Sequence, residues 1–425
     1  MKTPITKAFL TRLPKSDLHL HLDGSLRLNT LIELARKVEM KLPSYTEEGL
    51  RELVFKQEYT SLEEYLRGFS YTLAVLQDPE ALARVAFELA CDNQAEGVRY
   101  IEVRLAPQLH AHGSFDTIEA LRAVSDGLER AKRDFNAREE VRSGEEPPFD
   151  YGIISCSMRY FDEKSSPFHA GFLGAHRYSD LDRVFGLASL ELVLASARAR
   201  DEHGLPVVGV DLAGPEKGYP PIHHREAYLL AQRHFLRKTV HAGEAYGPES
   251  IYQAITELHA ERIGHGTSLL NPAAVQDPDI ADPVGYVADL ARFIADRRIT
   301  LEVCLTSNQQ TNPSLRRLET HPFGEMMKLR LSICICTDNR TVSNTTVTDE
   351  LYKAVTVFDL DLHYLKNLLV YGFKRSFFPG PYAEKRKYVR RCMDYFEKLE
   401  AEYLASTPED DKPVPDSSLD EPGED

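Results

Sequence analysis

The chain lacks any run of about 18 apolar residues, the length a helix needs to cross a bilayer, so no transmembrane segment is expected. Its opening, Met1–Asp17, holds no apolar stretch long enough for the hydrophobic region of a secretory leader, and none is expected. Cysteine is scarce: Cys91, Cys156, Cys304, Cys334, Cys336 and Cys392 are all that 425 residues contain. Several of them sit in apolar, strand-like runs, which reads as buried thiols and not as a disulfide framework. A reducing cytoplasm is the expected compartment. No internal repeat is visible, so the chain does not read as a repeat array.

Positive charge is also in short supply, with 51 Lys and Arg against 66 Asp and Glu for a formal net charge of −15. Residues 406–425 alone carry eight acids and one lysine, a net −7, so about half of that charge lies in a tail. The tail is rich in Pro, Ser, Asp and Glu, and disorder is expected there. An acidic surface repels phosphate backbones; nucleic acid is therefore not an expected partner, and a small neutral molecule fits better. The remaining composition, 42% hydrophobic and 28% charged, is that of a globular chain with a sizeable core.

Strand-like runs rich in Val, Ile and Leu alternate with helical periodicity, the pattern of parallel βα units. Asp78-Pro79 is an N-cap followed by proline at the first helical position, and Leu82, Val85, Ala86 and Leu89 follow at spacings of three and four. Eight runs can be counted: Ser16–His21, Val98–Leu105, Tyr151–Ser155, Pro206–Leu212, Lys238–His241, Arg262–His265, Thr300–Leu305 and Ser332–Thr337. They predict an α/β fold, a single (β/α)₈ TIM barrel over residues 1–405 with a helical insertion at about 28–97, after the first strand. On one predicted helix of that insertion Leu62, Tyr65, Leu66 and Phe69 share a face, either as core packing or as an apolar lid. Asn136–Pro148 reads as a flexible surface insertion.

His19-Leu20-His21 places two imidazoles on one face of a strand, as two ligands of one metal require. His241, His265 and Asp338 end the fifth, sixth and eighth runs, so all five residues share the C-terminal rim, where barrel enzymes keep their catalytic groups. Three or four imidazoles with one carboxylate suit Zn²⁺, with Fe or Co as substitutes. Glu244, in His241-Ala-Gly-Glu, stands on the loop leaving the same strand, where a proton carrier belongs. The Cys-x-x-Cys and His-x-Glu signature of cytidine-type deaminases is missing. The fourth run ends Asp211-Leu212 without a lysine that could bridge two metals, so one metal is expected.

With these motifs the sequence resembles the adenosine deaminase family of the amidohydrolase superfamily, from about Leu10 to about Leu399. The matching segments are Asp17-Leu-His-Leu-His-Leu-Asp-Gly-Ser, Glu102-Val-Arg-Leu-Ala-Pro, Asp211-Leu-Ala-Gly, His241-Ala-Gly-Glu, Gly264-His-Gly, Glu302-Val-Cys and Thr337-Asp-Asn. The resemblance implies that His19, His21, His241 and Asp338 hold one Zn²⁺ and that His265 is the base that orients and helps deprotonate the metal's water. Glu244 would protonate purine N1, and hydroxide would replace the 6-amino group. It further implies that the Gly214 amide meets purine N3 and that Asp23 accepts from the ribose 5′-hydroxyl. Leu62, Tyr65, Leu66 and Phe69 would form the apolar lid, and Met158 would line the pocket. Where many members have a second aspartate after the eighth strand, this chain has Asn339, whose amide can donate to the acceptor N7 without first being protonated.

The expected activity is thus hydrolytic deamination of adenosine, and of 2′-deoxyadenosine, to inosine and ammonia. Alternatives are another adenine compound, such as 5′-methylthioadenosine, a futalosine-type nucleoside or adenine, and a non-catalytic metal-binding protein. The last predicts loss of Glu244, His265 or Asp338, and all three are present.

Overall fold

The computed structural model describes residues 5–60 and 62–406. Of the acidic tail, only Ser406 falls within that range, as the last residue of the helix Tyr382–Ser406; the rest of the expected disordered segment lies outside the described residues. No helix among the described residues is long and apolar enough to cross a membrane.

Eight strands form one parallel sheet in sequence order: β1 (Lys15–His21), β2 (Val98–Leu105), β3 (Asp150–Met158), β4 (Val207–Ala213), β5 (Arg237–Ala242), β6 (Arg262–His265), β7 (Thr300–Val303) and β8 (Ser332–Ile335). Closure depends on a single bridge past the end of β8, where the Asp338 N–H donates to the His19 carbonyl and the His21 N–H to the Asp338 carbonyl, both at 2.8 Å. The eight expected strands are present and the sheet is a (β/α)₈ barrel. Two of them end sooner than expected. The chain turns into the helix Leu305–Thr311 directly after Cys304, and Thr337 and Asp338 lie beyond β8.

The helix Pro79–Ala95 starts as its sequence dictates: Asp78 accepts from the Ala81 N–H at 2.8 Å, and Leu82, Val85, Ala86 and Leu89 are buried. Asn136–Pro148 is held more firmly than its composition suggests. A short helix, Glu139–Arg142, buries Val141, and Arg391 donates to the carbonyls of Val141 and Glu146. All six cysteines are free and five are buried.

The barrel interior is charged instead of apolar. Arg104 donates to Asp211 and Glu302, each at 2.9 Å, and to the Leu18 carbonyl at 2.6 Å. Arg262 donates to Glu302 at 2.6 Å and to Glu102, while Thr239 donates to Glu302 at 2.9 Å. All of these side chains are essentially inaccessible to solvent. Burying charge is costly unless every group is paired, and this network pairs each of them directly beneath the strand ends.

Candidate active site

His19 and His21 stand on β1, His241 near the end of β5, His265 at the end of β6 and Asp338 past β8. His21 Nε2 is 3.2 Å from His241 Nε2, and Asp338 Oδ1 is 3.5 Å from both His19 Nε2 and His21 Nε2. Ligands at tetrahedral corners, about 2.0–2.1 Å from one ion, stand about 3.4 Å apart, so these edges have the length a zinc-sized ion sets. His19 Nε2 is buried with no hydrogen-bond partner. That arrangement is expensive unless a cation takes the lone pair.

The hydrogens can be placed by elimination. His19 Nδ1 is 2.8 Å from Glu302 Oε2, and His241 Nδ1 is 3.0 Å from Asp211 Oδ2. An ionised carboxylate only accepts, so both rings carry hydrogen on Nδ1 and turn the Nε2 lone pair inward. The carboxylates stay ionised. Burial alone would raise their pKa values, but Arg104 and Arg262 hold Glu302 well below the usual range, and His241 and Arg104 do the same for Asp211.

His265 is the opposite case. A backbone N–H can only donate, and that of Phe323 is 3.1 Å from His321 Nδ1, so neutral His321 carries its hydrogen on Nε2. Burial lowers His321 to about 4, which keeps it neutral at pH 7. Its Nε2–H donates to Asn308 Oδ1 at 3.2 Å, leaving the Asn308 amide nitrogen to donate to His265 Nδ1 at 2.9 Å. Neutral His265 therefore holds its hydrogen on Nε2, 3.6 Å from Glu244 Oε2. His19, His241, His265 and Asp338 each offer an atom within 4.8 Å of the others. Of the three rings, His265 alone presents an N–H where the other two present lone pairs.

Asp338 accepts from Ser307 Oγ at 2.6 Å. Burial would raise its pKa, but the surrounding imidazoles of His19, His21 and His265 lower it well below the usual range. Both Asp338 and His265 have φ of +63°, a conformation that side-chain-bearing residues rarely adopt and that concentrates at functional sites.

Above this cluster lies a cavity of about 260 Å³. His21, Asp23, Tyr65, Leu66, Phe69, Met158, Gly214, His241, Glu244, His265, Asp338 and Asn339 all line it, while His19 lies buried at the metal-sized cluster. Leu62 opens the helix Leu62–Val75, but its side chain lies outside the described residues. Tyr65, expected in an apolar lid, also makes polar contacts. Its hydroxyl is 2.9 Å from Ser343 Oγ and accepts from Asn339 Nδ2 at 2.9 Å, which ties the helix Leu62–Val75 to the loop after β8. Asp23 Oδ1 and Asn339 Oδ1 are buried without partners, and burial pushes Asp23 up to about 6. Gly24 is required by close approach: a Cβ there would lie 1.8 Å from Asn339 Oδ1.

Sequence reasoning missed the apolar wall of Leu73, Ala106, Leu109, Cys156 and Ala213. It also missed the helix Leu305–Thr311, which reaches three site residues through Ser307, Asn308 and Thr311, the last donating to Glu244 Oε1 at 3.3 Å. Small polar residues directly after a barrel strand were the available signal.

The sequence profile described as adenosine deaminase matches residues 14–394. An adenosine deaminase from Mycobacterium tuberculosis is 35% identical over 369 residues, covering 86% of this chain and 90% of that protein. A probable adenosine deaminase from Dictyostelium discoideum is 31% identical over 378 residues; that match covers 89% of this chain but only 42% of the longer relative. Among solved structures, adenine deaminase from Arthrobacter aurescens superposes with a TM-score of 0.70 at 24% identity, covering 91% of this chain and 99% of that one, a likeness of fold.

Proposed function

This chain belongs to the adenosine deaminase family, aminohydrolases that act on the C–N bond of a cyclic amidine, and from that premise we propose that it hydrolyses adenosine, and 2′-deoxyadenosine, to the 6-oxo nucleoside and ammonia. The observation that carries this reading is the convergence of His19, His21, His241 and Asp338 at metal-ligand spacing beside Glu244, on the floor of a nucleoside-sized cavity.

We assign one Zn²⁺ per chain to the Nε2 atoms of His19, His21 and His241 and to Asp338. When bound, zinc supplies a Lewis acid that brings the pKa of water down to about 7. Glu244 lies where a carboxyl group can deliver a proton to N1, which draws electrons from C6 as oxygen adds there. His265 orients the attacking oxygen by donating from Nε2; this is the orienting half of the role expected for it. Asp338, held ionised, accepts at the same place. Asp23 Oδ1 is a free acceptor for the 5′-hydroxyl, and Gly214, at φ +103°, offers its amide to N3. No lysine or arginine is among the described residues lining the cavity, whereas Asp23, Glu244 and Asp338 are. That balance favours a neutral nucleoside over a nucleotide. The free, mostly buried thiols suit the cytoplasm as its compartment.

Ultraviolet and ammonia-release assays on adenosine, 2′-deoxyadenosine, 5′-methylthioadenosine, adenine and AMP, with metal analysis of the same sample, test the proposal. Turnover of adenosine with about one zinc per chain is the expected result. Activity confined to another of these compounds would move the substrate, and a zinc-loaded protein inert on all five would overturn the reading. Chelation is expected to abolish activity and lower Tm, with both restored by added Zn²⁺, because a ligand bound only to the folded state stabilises it.

Asn339→Asp tests the N7 contact. A carboxyl group donates only while protonated, so KM of the variant is expected to climb as pH rises above the carboxyl pKa, whereas KM of the parent stays flat. Parallel KM profiles would remove Asn339 from substrate recognition.

A further inference from the structure

Glu216, three residues past the end of β4 at Ala213, plays no part in the chemistry described above, yet its carboxylate accepts four hydrogen bonds beside the site. The side chain is buried. Oε1 accepts from the Gly243 N–H at 2.6 Å, and Oε2 accepts from the N–H groups of Glu244, Ala245 and Tyr246 at 3.0, 2.7 and 3.1 Å. Four consecutive amides of the loop after β5 thus point at one carboxylate, and no ion pair to it is present among the described residues. Successive N–H groups turned to one side form an anion-binding concavity, and hydrogen bonds to an ionised acceptor are roughly twice as strong as neutral ones. Without its anion the loop would hold four unpaired, inward-facing donors.

The loop that is gripped is the one that carries Glu244, and the loop that grips it carries Gly214. Resting on the deaminase reading, these two loops face N1 and N3, the two nitrogens that flank C2 of the same six-membered ring. We propose that Glu216 is a positioning residue: it clamps the 243–246 backbone, sets the reach of the Glu244 carboxyl group, and locks that group in register with the Gly214 amide. Gly243 permits the turn, since its φ is +72° and a Cβ would lie 2.6 Å from Ile251.

Glu216→Gln keeps the shape of the side chain but turns one acceptor into a donor facing other donors. Misplacing a reacting group by about 1 Å costs on the order of 10²-fold, so kcat is expected to fall by about that factor with zinc content unchanged and KM little altered. In a double-mutant cycle, Glu216→Gln added to Glu244→Gln should cost nothing further, because the positioned group is already gone. Additive losses would mean a generally structural carboxylate and would overturn the proposal. Hydrogen exchange of the 243–246 amides supplies a readout independent of turnover: they should be protected in the parent and exposed in the variant. Equal exchange in both proteins overturns the clamp even if the enzyme is active; a difference supports it even if the substrate assignment fails. If Glu216→Gln does not fold, Glu216→Asp, which keeps the charge but is one methylene shorter, should show the same exchange and kcat changes in smaller degree, and a parent-like result would overturn the clamp.

Discussion

Glu244→Gln is expected to lower kcat by about 10²–10⁴, the span of a lost general acid or base, while the protein keeps its zinc and its Tm. The amide matches the carboxyl group in shape and can still accept from Thr311, so the packing around residue 244 has no reason to change. What it cannot do is deliver a proton to N1 and recover it. Nor is Glu244 among the residues at ligand spacing; its nearest partner in the cluster is the Nε2–H of His265, at 3.6 Å. Metal content and thermal stability should therefore be unmoved while turnover collapses. Steady-state kinetics with metal analysis decide it: near-normal kcat would remove Glu244 from the mechanism, and a parallel loss of zinc would make it a ligand.

The second large effect is expected at Glu302. Its two oxygens serve His19, Arg104, Arg262 and Thr239 at 2.6–2.9 Å, with no exposure to solvent. Glu302→Ala would leave two buried guanidinium groups short of a partner, and removing one member of a buried charge network costs about 3–5 kcal/mol. That is a large share of a stability that is itself only about 5–15 kcal/mol. The same change strips His19 Nδ1 of the acceptor that fixes its tautomer, a loss that typically weakens metal binding by about 10–100-fold. Thermal melts on the metal-free proteins isolate the first effect from ligand linkage, and chelator competition measures the second. Unchanged Tm and unchanged zinc affinity together would show that the interior network supports neither the barrel nor the site.

The strand count and the rim position of the histidines could be read from local pattern, whereas Asp23, Gly214, Met158 and Asn339 were reached only through the family resemblance, and the apolar wall of Leu73, Ala106, Leu109, Cys156 and Ala213 not at all. The histidine pair on β1 must share a face because strand side chains alternate, and a residue at the C-terminal end of a barrel strand must reach the rim. The interior network was only partly visible. Glu102 and Arg104 alternate on β2 with apolar neighbours, which signals charges on one face, but not that they meet Glu302 and Arg262 from distant strands. The seventh run was expected to reach Leu305, and the polar Thr306, Ser307 and Asn308 that follow carry no helical periodicity, so the helix Leu305–Thr311 became apparent only in three dimensions.

By itself, then, the sequence determined the βα alternation and, through short motifs at the ends of several strands, the family, because each motif is legible within a few residues. Tertiary structure decided what depends on encounters across the barrel. It turned the Nε2 lone pairs of His19 and His241 inward through Glu302 and Asp211, and placed a hydrogen on His265 Nε2 through Asn308, His321 and a backbone N–H. It bound Tyr65 to Asn339, and it closed Glu216 over four amides of a loop 27 to 30 positions away. A side chain's partners across a fold are set by which surfaces packing brings together, and no local period encodes that.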